Sequence, residues 1–240
     1  MAFSGTTTFS MTRDELINAA LIKVRAIDAE SDSPEPYQTQ NAASALNRII
    51  KRLATQGTLL WAEEEVVVDL AKGKASYTIG PTGDVVTSRP LRIHNTRWRD
   101  ITDNTDIPIT LKGRMDYLTL TNKLSQGRPT WVYYDRKIDD GEVTVWPVPE
   151  DSKGQLRFTA DVAIQDFNAS GDTAHVPSYA YDYLVYALAS DQAPDYGLPI
   201  EDTMLLERRA AMLKEDVLDF EEEESGFQLT PDMTHRRFGE

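Results

Sequence analysis

Residues 63–79 read EEEVVVDLAKGKASYTI, and within them the period of the chain changes. Val66-Val67-Val68 and the run from Ala75 to Ile79 are β-branched or aromatic segments on either side of Lys72-Gly73-Lys74. That composition predicts two strands and a tight turn, a β-hairpin. Downstream, Leu91 to Ile93, Trp131 to Lys137, Glu142 to Trp146 and Gln155 to Val162 have the same character. Asp139-Asp140-Gly141 and Asp151-Ser152-Lys153-Gly154 punctuate them as turns, so the last three strands are expected to form an antiparallel meander.

Working outward from this middle region, the period on both sides is helical. Thr12-Arg13-Asp14-Glu15 has capping-box spacing and predicts a helix start, followed by Leu16, Ile17, Ala20, Leu21, Val24 and Ile27. Asp32-Ser33-Pro34-Glu35-Pro36 interrupts the pattern, which resumes with Leu46, Ile49, Ile50 and Leu53 and stops near Gly57. A helical hairpin is expected there. After Val176, Pro177 suits a first helical position; Ala180, Leu184, Val185, Ala187 and Leu188 follow, and Pro194 ends the run. Leu206, Ala210, Leu213, Val217 and Phe220 then alternate in steps of four and three, the seam of a helix packed on other helices. From Glu221-Glu222-Glu223-Glu224 to Glu240 the period is lost, which predicts an extended arm.

The sequence therefore predicts an α+β fold: a polar N-terminal arm over 1–11, a helical core from 12–60 and 177–220, a central antiparallel β lobe over 61–176, and a C-terminal arm over 221–240. With 240 residues, 40% hydrophobic and 27% charged, the chain is long enough to bury a self-sufficient core. Its formal net charge of -14 repels phosphate backbones at long range and argues against general DNA binding. Cysteine is absent, which excludes disulfides, thiolate metal sites and cysteine nucleophiles. The first residues lack the basic patch and apolar run of a signal peptide, and no stretch reaches the roughly 18 apolar residues of a membrane span. A soluble protein with no membrane partner is expected.

Local chemistry is sparse. His94, His175 and His235 fall far apart with no metal-ligand spacing, and no nucleophile elbow, phosphate loop or dinucleotide fingerprint is present. Asp100, Asp103, Asn104 and Asp106 cluster oxygen ligands, but the spacing departs from an EF-hand and Leu111 stands where its last glutamate would be. Asp139 and Asp140 read as turn formers before Gly141. No enzyme, cofactor or metal site is expected. Arg89, Arg92, Arg97 and Arg99, with Trp98 among them, form the densest basic segment. They read as a salt-bridged surface or as residues that meet carboxylates of a neighbouring subunit. Tyr179, Tyr181, Tyr183 and Tyr186 read as packing or interface surface.

Several segments occur in an order that resembles the tail accessory, or packaged-DNA stabilisation, proteins of short-tailed phages. They are Tyr77-Thr78-Ile79-Gly80-Pro81-Thr82-Gly83-Asp84, Arg89-Pro90-Leu91-Arg92-Ile93, Gly127-Arg128-Pro129, Val145-Trp146-Pro147-Val148-Pro149 and Pro177-Ser178-Tyr179. Leu184 to Ala189 and Ala193-Pro194-Asp195-Tyr196-Gly197 extend the resemblance over most of Met11 to Phe220. It implies a virion protein, assembled in the host cytoplasm, that docks as a dodecameric head-to-tail adaptor under the portal. Such a ring extends the DNA channel, helps retain packaged DNA and offers a platform for tail nozzle or tail fibre proteins. DNA would pass through it without sequence-specific binding.

The resemblance also implies a C-terminal segment that reaches the portal, for which Phe227, Leu229, Met233, His235, Arg236, Arg237 and Phe238 are the position-matched candidates. Arg89, Arg92, Arg97, Arg99, Leu206, Leu213, Val217 and Phe220 are the candidates for contact between adaptor subunits. Two other readings remain: a β-lobe module that binds a saccharide or a tail fibre, which requires an exposed aromatic platform, and a cell-wall hydrolase, which requires two facing carboxylates in a cleft.

Overall fold

A computed structural model describes residues 8–28, 33–56 and 59–221. Helix α1 (Arg13–Lys23) starts at the predicted capping box: the Glu15 amide donates to Thr12 Oγ1 at 3.3 Å and the Thr12 amide to Glu15 Oε2 at 2.8 Å. Both bonds satisfy donors that a helix start otherwise leaves free. The bond from the Thr12 amide also holds the Glu15 carboxyl below its ordinary pKa. Helix α2 (Pro36–Gln56) places Pro36 first, where a missing amide hydrogen costs nothing. Gly57 lies outside the described residues.

Helix α4 (Tyr181–Gln192) follows a single 3₁₀ turn at Ser178–Ala180, so Pro177 stands just before helical structure. α1 and α2 both pack on α4, and α5 (Ile200–Phe220) runs along it. Leu16, Ile17 and Leu21 of α1 meet Leu46, Ile50 and Leu53 of α2 and Leu184 and Leu188 of α4 in one fully buried cluster. Each such side chain contributes about 1.5–3 kcal/mol relative to exposure. The apolar steps of three and four read in the sequence are the faces that meet here.

The β lobe is a stack of two sheets. The first contains β1 (Glu63–Asp69), β9 (Gly154–Asp161), β4 (Arg92–Asp100) and β5 (Thr105–Pro108), in the order β1-β9-β4-β5, all antiparallel. The second contains β3 (Val85–Val86), β2 (Ser76–Gly80), β8 (Gly141–Trp146), β7 (Trp131–Asp135) and β6 (Thr110–Lys112), in the order β3-β2-β8-β7-β6. It is mixed, since β2 with β3 and β6 with β7 pair parallel. A short helix, α3 (Arg114–Leu118), packs against β7. Val66, Val68, Ile93, Leu156 and Phe158 of the first sheet meet Tyr77, Ile79, Val132, Val143 and Val145 of the second.

Two expectations from local sequence are corrected by this pairing. The turn at Lys72-Gly73-Lys74 exists, with Gly73 at φ 77° and the Lys74 amide donating to Ala71 O at 3.1 Å. It does not close a hairpin, because β1 pairs with β9 and β2 with β8. Tyr77 explains the difference: its hydroxyl accepts from the Ala71 amide at 2.8 Å and donates to Lys74 O at 3.0 Å, turning the chain from one sheet to the other. Val66 and Val68 then face Tyr77 and Ile79 across the stack instead of lying beside them. The meander is likewise half right. β7 and β8 form a hairpin, but after 150–153 the chain crosses over and β9 inserts between β1 and β4.

The chain passes between helical core and β lobe at Ala62–Glu63 and Asp161–Val162, joined by the Val162 amide donating to Ala62 O at 2.8 Å. Beyond that crossing, Ile164, Phe167, Ala174 and Val176 belong to the helical core. The Phe167 amide donates to Asn47 Oδ1 at 2.9 Å, and Lys51 Nζ donates to Ile164 O at 2.6 Å, strapping 162–176 onto α2.

Candidate functional site

α5 has two unlike sides. Ala210 and Val217 are buried, and Leu206, Leu213 and Leu218 are partly buried against the core, so the regular seam holds this helix on its own chain. Ile200, Met204, Leu205 and Met212, off that seam, are at least half exposed, and so is Phe220, which the sequence places in the seam. The periodicity visible in the sequence thus marks the intramolecular side. The outer side has no regular period and was not singled out, apart from Phe220.

The end of α5 is fixed at the junction of the two lobes. Glu221 is only 4% exposed; its Oε2 accepts the Leu60 amide at 2.8 Å and its other oxygen accepts the Tyr179 hydroxyl. Burial, reinforced by the hydrogen bond to Glu221, pushes the Tyr179 phenol far above its ordinary pKa. The Tyr179 ring meets Trp61 edge-on at 6.1 Å and Phe220 at 4.9 Å. One residue of the acidic run that begins the predicted arm is therefore a buried acceptor. The portal-binding candidates Phe227, Leu229, Met233, His235, Arg236, Arg237 and Phe238 lie outside the described residues.

The basic segment is neutralised within the β lobe. Arg92 Nε lies 3.0 Å from Asp161 Oδ2, Arg97 pairs with Glu65, and Arg97 and Arg99 reach Asp106 at 3.6 and 3.5 Å. Arg89 donates to Lys137 O at 3.2 Å. The same pairs account for Asp106, while Asp100 Oδ1 accepts the Thr102 amide at 2.8 Å in the β4–β5 turn. That backbone bond lowers the Asp100 pKa. Asp140 accepts from the Thr82 amide at 3.2 Å and the Thr82 hydroxyl at 2.6 Å, pinning the loop before β3.

A second, partly exposed apolar surface lies on the second sheet. Trp131 and Trp146 meet at 5.3 Å, Tyr117 of α3 stacks on Tyr133 at 5.3 Å, and Lys123 Nζ sits 5.0 Å from the Tyr117 ring centre. Leu111, Met115, Leu118 and Leu124 are exposed nearby in the sequence. Lys112, Arg114 and Arg136 line an open groove with Tyr133, Tyr134 and Asp135, and among the described residues none of the three cations has a carboxylate within ion-pair distance. Four separate segments supply these groups, so no contiguous motif announced them.

The sequence profile of the SU10 adaptor protein family matches residues 11–223. The chain belongs to the SU10 adaptor family. The match begins one residue before the Thr12 cap and ends just past Phe220, so both lobes of the adaptor are family structure, together with the Glu221 clamp. It is a structural phage protein and a component of the virion. No curated protein matches it significantly. Among the described residues, no helix of the adaptor is long and apolar enough to cross a membrane.

Proposed function

We propose that this adaptor assembles as a dodecameric ring beneath the portal of a short-tailed phage, extends the DNA channel, helps retain packaged DNA and carries tail nozzle or fibre proteins. The family match across both lobes carries this reading, and the uncovered apolar residues of α5 fit it. Exposed side chains at Ile200, Met204, Leu205, Met212 and Phe220 are a surface that a neighbouring subunit would cover. A ring requires two different faces on each subunit, so the outer side of α5 would meet a different surface of the neighbouring subunit. The arm beyond Glu221 is the proposed portal anchor, through Phe227, Leu229, Met233, His235, Arg236, Arg237 and Phe238. Arg89, which donates to Lys137 O in the β lobe, is proposed as a further subunit contact.

The strong negative charge suits passage of DNA without adhesion. Native mass spectrometry of the full chain mixed with its cognate portal should give a high-order complex, and an obligate dimer would overturn the ring. The aromatic face at Tyr117, Trp131 and Trp146, flanked by cations without carboxylate partners, favours a second role for the β lobe as the tail-protein dock. Trp131→Ala should then weaken tail attachment while leaving portal binding intact.

A further inference from the structure

The two chain crossings between the lobes lie side by side, since Glu63 at the start of β1 pairs with Asp161 at the end of β9. β4 lies on the other side of β9 and brings His94 to the same end of the sheet. Its pairing with β9 is irregular between His94 and Arg97, and Asn95 has φ 50°, a bulge of the kind that re-aims a neighbouring side chain. As a result the imidazole stands between two carboxylates, with Nε2 3.2 Å from Glu63 Oε1 and Nδ1 3.4 Å from Asp161 Oδ1.

Asp161 makes this more than a surface cluster. The residue is 7% exposed and its two oxygens differ. Oδ2 faces Arg92 Nε at 3.0 Å, whereas Oδ1 is buried, has no hydrogen-bond donor and points at His94. A buried carboxylate oxygen without a donor costs free energy, more so when it is charged. A cation at that point removes the cost.

The geometry points to a divalent transition-metal site formed by Glu63, His94 and Asp161 that ties together the ends of β1, β4 and β9 beside the chain crossings. One ligand atom from each residue lies within 4.8 Å of the others, so the three must draw together by about 1 Å to reach the separations of roughly 3.5 Å that tetrahedral bonds of about 2.0–2.2 Å to zinc impose. One imidazole nitrogen with two carboxylate oxygens is a mixed set that Zn²⁺ accepts and that Mg²⁺ or Ca²⁺, which take oxygen alone, does not favour. Binding requires one nitrogen of His94 to turn toward both carboxylates. Glu63 and His94 are partly exposed, which gives an ion a way in and leaves a coordination position for water. The three ligands are 31 and 67 residues apart in the chain, so no local spacing signals them.

The test is calorimetric titration of chelator-treated full-length protein with ZnCl₂, alongside thermal unfolding with and without the ion. Binding of about one Zn²⁺ per chain, a Zn²⁺-dependent rise in Tm, and a loss of at least tenfold in affinity in both His94→Gln and Glu63→Gln are expected. Circular dichroism of each variant without metal checks that the fold persists. Absence of saturable binding, or binding unchanged in folded His94→Gln, overturns the site. So does a stability that responds to Glu63→Gln and His94→Gln identically with and without Zn²⁺, since the cluster is then only an ion pair.

Discussion

The helical core and the β lobe differ in how far apart along the chain their contacts lie. In the core, Leu16, Ile17 and Leu21 share one face of α1, and the same local rule orders Leu46, Ile49, Ile50 and Leu53 on α2. In the lobe, Val66 meets Phe158 across a strand pair and Tyr77 across the stack, at separations no local pattern encodes. A helix presents its buried stripe before it finds a partner. A strand shows which residues face inward but not which strand lies beside it.

If the lobes are two cores joined at a narrow junction, a large deletion in one should stay local. Phe158→Ala removes the largest fully buried side chain among the described residues and should cost about 3–5 kcal/mol. Hydrogen exchange should then accelerate in β1, β9 and β4, with α1 and α4 amides protected as before. Equal acceleration in both regions would merge the two cores into one cooperative unit. Glu221→Ala sharpens the same comparison at the junction. It leaves the part-buried Leu60 amide and Tyr179 hydroxyl without their acceptor, about 1 kcal/mol by chemical denaturation. In the same variant the Tyr179 phenol should titrate closer to its ordinary value, followed by absorbance at alkaline pH.

The smallest effects belong to the start of α1. Thr12→Ala should cost about 1 kcal/mol, a shift of roughly 2–4 °C in Tm for a chain of this size. Glu15 gives a pH signature. Its folded pKa lies below its unfolded value because it accepts the Thr12 amide, so its contribution is present above the unfolded pKa and is lost as pH falls through the folded one. Glu15→Gln should therefore lower stability slightly above about pH 6, converge with the wild type at acid pH and so flatten the acid limb of the stability curve. A steeper acid limb in that variant would contradict the capping role.

Much of the fold was legible because its signals were local. Thr12 and Glu15 announced α1, and the steps from Leu206 to Val217 announced α5. The turn at Gly73 was legible as a turn, yet its partner strands were not, because the Tyr77 hydroxyl and the stacking of two apolar faces decide them. The basic run from Arg89 to Arg99 was visible, while the partners Glu65, Asp106 and Asp161 come from other strands. The aromatic face around Trp131 and the Glu63, His94 and Asp161 cluster exist only once the sheets are formed. For α5 the clear period pointed to the side that the chain covers itself, and the irregular remainder is the side it leaves open.

That division of α5 is the centre of the account, and one measurement bears on it directly. Native mass spectrometry with the cognate portal should compare the wild type, Leu205→Asp on the outer side and Leu206→Ala on the seam. Leu205→Asp should leave thermal unfolding almost unchanged and abolish the high-order complex, whereas Leu206→Ala should lower Tm while the remaining folded protein still assembles. Assembly of Leu205→Asp at wild-type levels, with a folded chain, would contradict the assignment of the outer side of α5 to the ring.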